Sequence, residues 1–133
     1  MTKSVANHMK RHHLHGSIIN IGSVNGDVSP CKELTAYAVS KAAVMHMTKA
    51  LVTEISKHQI RINTINPGPV QSCLLGEPNK HDPDFWKDKI PAGFIADTSD
   101  LDGMLLYLAS NKASRYVTGV AFTIDGVLSC GSS

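Results

Sequence analysis

Gly16-Ser17-Ile18-Ile19-Asn20-Ile21-Gly22-Ser23 runs from one glycine to another and then a serine, with three isoleucines between. It is short, apolar and β-branched, and its pattern does not keep one face polar. Such a run fits a strand covered on both faces, as in a parallel sheet. A loop follows through Gly26, Asp27, Ser29 and Pro30. Residues 34–57 then predict a helix, because Val44, Met47, Leu51 and Ile55 recur at helical spacing with no interrupting proline or glycine. Ile60-Arg61-Ile62-Asn63-Thr64-Ile65-Asn66 reads as a second strand. Pro67-Gly68-Pro69 closes it, since two prolines around a glycine force a turn.

Residues 70–97 are too long and too rich in proline and glycine for a simple connection, and are expected to form a lid or substrate loop. Phe85, Trp86 and Phe94 would line a substrate pocket or else anchor the loop, the first being favoured because binding residues tend to sit on loops held by a rigid scaffold. Ser99 and Asp102 have capping-box spacing, and Leu101, Met104, Leu105, Leu108 and Ala109 follow at helical intervals. Residues 120–124 predict a third strand, ended by Asp125-Gly126. Strands alternating with helices imply an α/β fold with parallel pairing and right-handed crossovers. Ligands of such sheets bind beyond the carboxyl ends of the strands. Ser23 and Pro67-Gly68 fall at those ends, and Tyr37 starts a helix near the same rim.

Composition narrows the function. Hydrophobic residues make up 42% and charged residues 18% of 133 residues, the balance of one globular domain. A formal charge of +2, with no basic stripe interleaved with aromatics, argues against nucleic acid as partner. No apolar run reaches the ~20 residues that span a bilayer, so no membrane partner is expected. Cys31, Cys73 and Cys130 are scattered and odd in number, which suggests reduced thiols and a cytoplasmic protein. The opening stretch to His15 has Lys3, Lys10, Arg11 and no acid, like a transit peptide. It nevertheless runs straight into the first strand and reads as a short helix. His8 and His12 share a helical face, but no Asp, Glu or Cys nearby completes a ligand set, so no metal is expected.

The chemistry lies in Thr35-Ala36-Tyr37-Ala38-Val39-Ser40-Lys41. On a helix, residues four apart are neighbours with Cβ atoms roughly 5–6 Å apart. A lysine so close favours the ionised phenol, which makes the tyrosine a better proton donor and acceptor. Taken alone, a tyrosine–lysine pair at this spacing is ordinarily a helix surface pair. Ser23, fourteen residues before Tyr37, could hold a substrate oxygen beside the phenol.

These residues and their order resemble the short-chain dehydrogenase/reductase family. The strand ending at Ser23 looks like the one that delivers the family's catalytic serine, and Tyr37 with Lys41 is similar to its tyrosine–lysine motif. Arg61 to Gly68 resembles the following strand and its Pro-Gly turn. Tyr116-Val117-Thr118-Gly119 and Ile124-Asp125-Gly126 resemble the last turn and strand. The resemblance implies the second half of a Rossmann-like parallel sheet with flanking helices, in an NAD- or NADP-dependent oxidoreductase interconverting an alcohol and a ketone. By the same resemblance Ser23 orients substrate, Tyr37 is the acid–base, and Lys41 assists it and holds the nicotinamide ribose. Pro67, Gly68 and Val70 would lie against the nicotinamide. Ser72 would stand near the cofactor or act as a helix N-cap. A homo-oligomer is also implied, with one face of the long helix meeting a second subunit.

The sequence departs from that pattern in one respect of consequence. No Gly-x-x-x-Gly-x-Gly or Gly-x-Gly-x-x-Gly phosphate loop occurs in it. The 133 residues therefore read as a partial domain without the N-terminal cofactor-binding half. A catalytically inactive truncated chain or interaction module is the alternative. Val127 also stands where the family often has a glycine.

Overall fold

The computed structural model of the chain describes residues 1–28, 34–72 and 86–130. Helix α1 (Thr2–Arg11) leads into β1 (Gly16–Ile21), and a 3-10 turn (Val24–Gly26) precedes the long α2 (Thr35–Ile55). A second 3-10 turn (Ser56–His58) joins α2 to β2 (Ile60–Pro67). After the loop, a 3-10 turn (Thr98–Leu101) opens α3 (Asp102–Ala109), and β3 (Ala121–Ile124) closes the order. The three strands form one sheet in the order β1-β2-β3. Both pairings are parallel, from Gly16↔Ile60 to Ile21↔Ile65 and from Thr64↔Ala121 to Pro67↔Ile124. This is the α/β arrangement expected of the sequence.

Strand β2 is central and buried from Ile60 to Asn66, although four of those seven residues are polar. Burial is tolerated at Arg61, Asn63 and Thr64 because each finds partners, whereas Asn66 Oδ1 has none among the described groups. Arg61 donates to Ser114 Oγ at 2.9 Å, to Leu108 O at 3.0 Å and to Asn111 Oδ1 at 3.0 Å. Asn63 donates to Val117 O at 2.9 Å and accepts from Val120 N at 3.1 Å, clamping the turn before β3. Thr64 donates to Thr48 Oγ1 at 2.8 Å, and Thr48 also accepts from Asn20 Nδ2 at 2.9 Å. Strand alternation sorts these contacts. Ile60 and Ile62 join Ile18, Leu51, Ile55 and Ala6 in a core under α1 and α2, whereas Arg61 turns to the α3 side.

Several boundaries differ from the sequence reading. Strand β1 stops at Ile21, because Ser23 is already the N-cap of the 3-10 turn. The capping box sits two residues earlier than expected. Asp97 accepts from Ser99 N at 3.0 Å, and Asp100 accepts from Asp97 N at 2.8 Å. Ser99 and Asp102 are thus not the capping pair; the aspartate two positions earlier takes the role. Helix α2 buries only Thr48, Leu51 and Ile55, and Val39 is 65% exposed. A second face of α2 is therefore uncovered within one chain. Among the described residues, no helix is long and apolar enough to cross a membrane, and no group of histidine, cysteine or acidic residues could hold a metal. His8 and His12 do share a face, with ring centroids 4.4 Å apart.

Candidate functional site

At the carboxyl end of β1 the chain must turn sharply to reach α2. Gly22 N donates to Ile65 O at 2.7 Å, continuing the strand pairing by one bond. Ser23, extended at φ −170° and ψ 154°, then caps the 3-10 turn, its Oγ accepting from Asn25 N at 3.2 Å. That bond uses a lone pair and leaves the Ser23 hydroxyl proton for another acceptor. Ser23 is buried, 6% exposed, so an oxygen placed against it would be shielded from water.

The turn is brought onto α2 by Gly26. A Cβ there would stand 2.7 Å from the Lys41 carbonyl carbon and 2.8 Å from Ala42 N. Only a residue without a side chain allows the serine turn to rest on the helix backbone one turn after Tyr37. Lys41 in turn crosses to the sheet, donating from Nζ to Ile21 O at 3.1 Å. The same Nζ lies 5.5 Å from the Tyr37 ring centroid, within cation–π range. An ammonium has three donors, so two remain beyond the bond to Ile21.

Strand β2 ends at Pro67, and the Pro67-Gly68-Pro69 turn carries the chain across the opposite wall. Gly68 N donates to Ile124 O at 2.9 Å, fixing the turn to β3. Val70 and Ala96 form an isolated parallel bridge through Gln71 N and Ala96 O at 2.8 Å. That bond does not use Val70's own amide or carbonyl. The bridge ties the two ends of the expected lid together, while its middle, with Phe85 and Cys73, lies outside the described residues, as does Cys31.

These elements enclose a cavity of about 430 Å3. Ser23, Tyr37 and Lys41 line it, and so do Pro67, Gly68, Val70 and Ser72. All seven residues singled out from the sequence thus meet at one site, drawn from β1, α2 and the turn after β2. Trp86 also lines it, as the sequence suggested, but Phe94 does not: it is 59% exposed, on a bend that carries it away. Asn25, Thr98, Leu101 and Leu128 line the cavity without having been anticipated. Asn25 could have been found from its place two residues after Ser23, whereas Leu128 comes from the far end of the chain and has no local signal.

The comparisons with known proteins agree with this architecture. The family model described as Enoyl-(Acyl carrier protein) reductase matches residues 1–128. D-arabinitol 2-dehydrogenase [ribulose-forming] of Scheffersomyces stipitis is 35% identical over 98% of this chain and 48% of that enzyme. Among solved structures, a short-chain type dehydrogenase/reductase from Mycobacterium marinum superposes with a TM-score of 0.88 at 38% identity, over 97% of this chain and 50% of that one. A gluconate 5-dehydrogenase from Burkholderia cenocepacia, in complex with NADP and tartrate, gives 0.89 at 30% identity, over 98% and 51%. The chain spans about half the length of the curated relatives it matches. Sequence motifs, sheet topology and relatives agree, and the chain belongs to the short-chain dehydrogenase/reductase family.

Proposed function

We propose that Ser23, Tyr37 and Lys41 are the acid–base site of an oxidoreductase interconverting an alcohol and a ketone with NAD or NADP. The observation that carries this reading is the meeting of these three side chains with the Pro67–Val70 turn in one cavity at the carboxyl ends of β1 and β2. A bound nicotinamide dinucleotide would accept the hydride from the alcohol carbon, or return it to the ketone. The residues present fit that group at its nicotinamide end. Two Lys41 donors remain for ribose hydroxyls, and Val70's backbone groups are outside the bond that ties its bridge to Ala96.

In the reducing direction the Tyr37 hydroxyl passes its proton to the developing alkoxide, and in oxidation it receives one. The Lys41 ammonium stabilises the phenolate left behind, being held over the ring by its bond to Ile21 O. Ser23 donates its free proton to the same substrate oxygen and fixes it in line. Asn25, Ser72 and Thr98 are further polar residues lining a cavity that is otherwise mainly apolar. D-arabinitol and gluconate, named in the relatives, are the first substrates to assay.

The chain spans about half the length of its curated relatives, and no phosphate loop occurs in these 133 residues. The uncovered face of α2, with Ala36, Val39, Ala43 and Ala50 exposed, supports a homo-oligomer. Tyr37→Phe removes the proton donor and should abolish substrate-dependent formation of reduced nicotinamide while leaving the fold intact. A Tyr37→Phe protein with normal turnover would sink the assignment. The second reading is a catalytically inactive truncated chain or an interaction module. Calorimetric titration of the chain with NAD and NADP separates the two: no binding and no turnover in any assay supports the second.

A further inference from the structure

A second cavity, of about 180 Å3, opens at the other end of the sheet, where Lys10, His13, His15, Lys57, His58 and Gln59 line it. His15 and Gln59 immediately precede the first paired residues of β1 and β2, Gly16 and Ile60, so this is the amino-terminal edge, remote from Ser23. One wall is the end of α1 and its link to β1; the other is the 3-10 turn after α2. His13 and Gln59 both adopt left-handed backbone conformations, at φ 52° and 59°, which turn each wall back toward its strand.

Five of the seven lining residues can carry positive charge, Met9 and Gln59 being the others, and none of them is acidic. Cations at helix C-termini are ordinary complements of the helix dipole, and that accounts for Lys10 and Lys57 taken singly. It does not account for their convergence, with three histidines, on a shared cavity. If the helix ends dominated, they would favour the imidazolium of His58. Instead His58 is held below its ordinary value, first by burial and then by Lys10, Lys57 and His13, with no carboxylate among the groups acting on it. Like charges gathered without a counterion are relieved by a bound anion.

We propose that this cavity binds a small tetrahedral oxyanion, either free phosphate or the phosphate of a phosphomonoester. The cavity has room for one such group with lysine donors on both walls, and for histidine N–H donors between them. The site is separate from the Ser23–Tyr37–Lys41 cavity and stands whether or not that cavity is catalytic.

The test is a titration of the full chain with inorganic phosphate, followed by NMR at the histidine ring protons, against sodium chloride at matched ionic strength. Saturable shifts at His58 and His13, with a rise in the His58 titration midpoint, are expected. Lys10→Gln and Lys57→Gln should each weaken binding by roughly threefold to tenfold. Lys10→Arg and Lys57→Arg, which keep the charge, should retain it and guard against a folding artefact. Sulfate stays doubly charged between about pH 8 and about pH 6, so its binding should tighten as the pH falls and the lowered His58 takes up its proton beside the anion. Glycerol phosphate binding more tightly than phosphate identifies the ester as ligand, and the reverse order identifies the free anion. Equal shifts with chloride, or unchanged affinity in both glutamine variants, overturn the proposal.

Discussion

Gly22→Ala joins packing to function at a single carbon. The added methyl would overlap Asn66 Oδ1 and stand 2.9 Å from Thr64 Cγ2. Neither neighbour has solvent to move into, since Asn66 is 1% and Thr64 0% exposed. The backbone is pinned as well, because Gly22 N donates to Ile65 O at 2.7 Å. The least costly relief is rotation of the Asn66 amide, whose Oδ1 has no hydrogen-bond partner among the described groups. Overpacking of this kind costs roughly 1–3 kcal/mol, the lower figure applying if Asn66 turns and the higher if the strand end shifts. At roughly 3–5 °C per kcal/mol for a chain of this size, thermal unfolding followed by circular dichroism should fall by roughly 3–15 °C. A shifted strand end would also carry Ser23, the next residue, out of line. On the proposed role of Ser23, a displacement of about 1 Å would cost about a hundredfold in turnover. An unchanged melting temperature would refute the reasoning, since it would mean that the Gly22–Asn66 contact is not tight.

Val127 holds φ 73° and is 54% exposed, so a β-branched residue takes a left-handed conformation with little burial to offset it. Val127→Gly should raise the urea midpoint, through a gain in unfolding free energy of about 0.5–1 kcal/mol, after the ~1–2 kcal/mol of strain relieved is set against the greater freedom of unfolded glycine. A lower midpoint would show that the valine side chain contributes packing that outweighs the strain. Arg61→Met removes three hydrogen bonds from a buried guanidinium that burial already pulls below its ordinary value, and it strands their acceptors. Each such bond contributes roughly 1.5–3 kcal/mol, and relief from burying a cation offsets part, so a loss of about 2–4 kcal/mol is expected in chemical denaturation. Asp97 is held below its ordinary 3.8, chiefly by the Ser99 backbone N–H and then by its hydroxyl. A depressed folded value means stability that is present above pH 3.8 and lost as the pH falls through the folded value. Acid titration of Asp97→Ala should lack that component, and identical acid curves would count against it.

Much of this was legible in the sequence. The strands from Gly16, Ile60 and Val120 and the helix through Val44, Met47, Leu51 and Ile55 could be read because their signals are local: apolar runs, helical period, and proline or glycine at the ends. The spacing of Tyr37 and Lys41 needed only helical geometry, and parallel pairing put Ser23 and Pro67 at one edge. Start points were less legible. The aspartates at positions 97 and 100 were as good a capping pair as Ser99 and Asp102, and only the fold of the preceding loop selected them.

What the sequence determined by itself was the set of elements, their parallel order and the seven residues at the carboxyl edge. What the tertiary structure alone decided was contact between distant segments. It brought Gly26 against the Lys41 backbone and Leu128 into the same cavity as Ser23. It satisfied Arg61, Asn63 and Thr64 of β2 with Ser114, Val117 and Thr48. It also gathered Lys10, His13, Lys57 and His58 around one opening. Local propensity acts within a few residues, whereas these meetings depend on how the sheet twists and how closely the helices pack on it, which no window of the chain encodes.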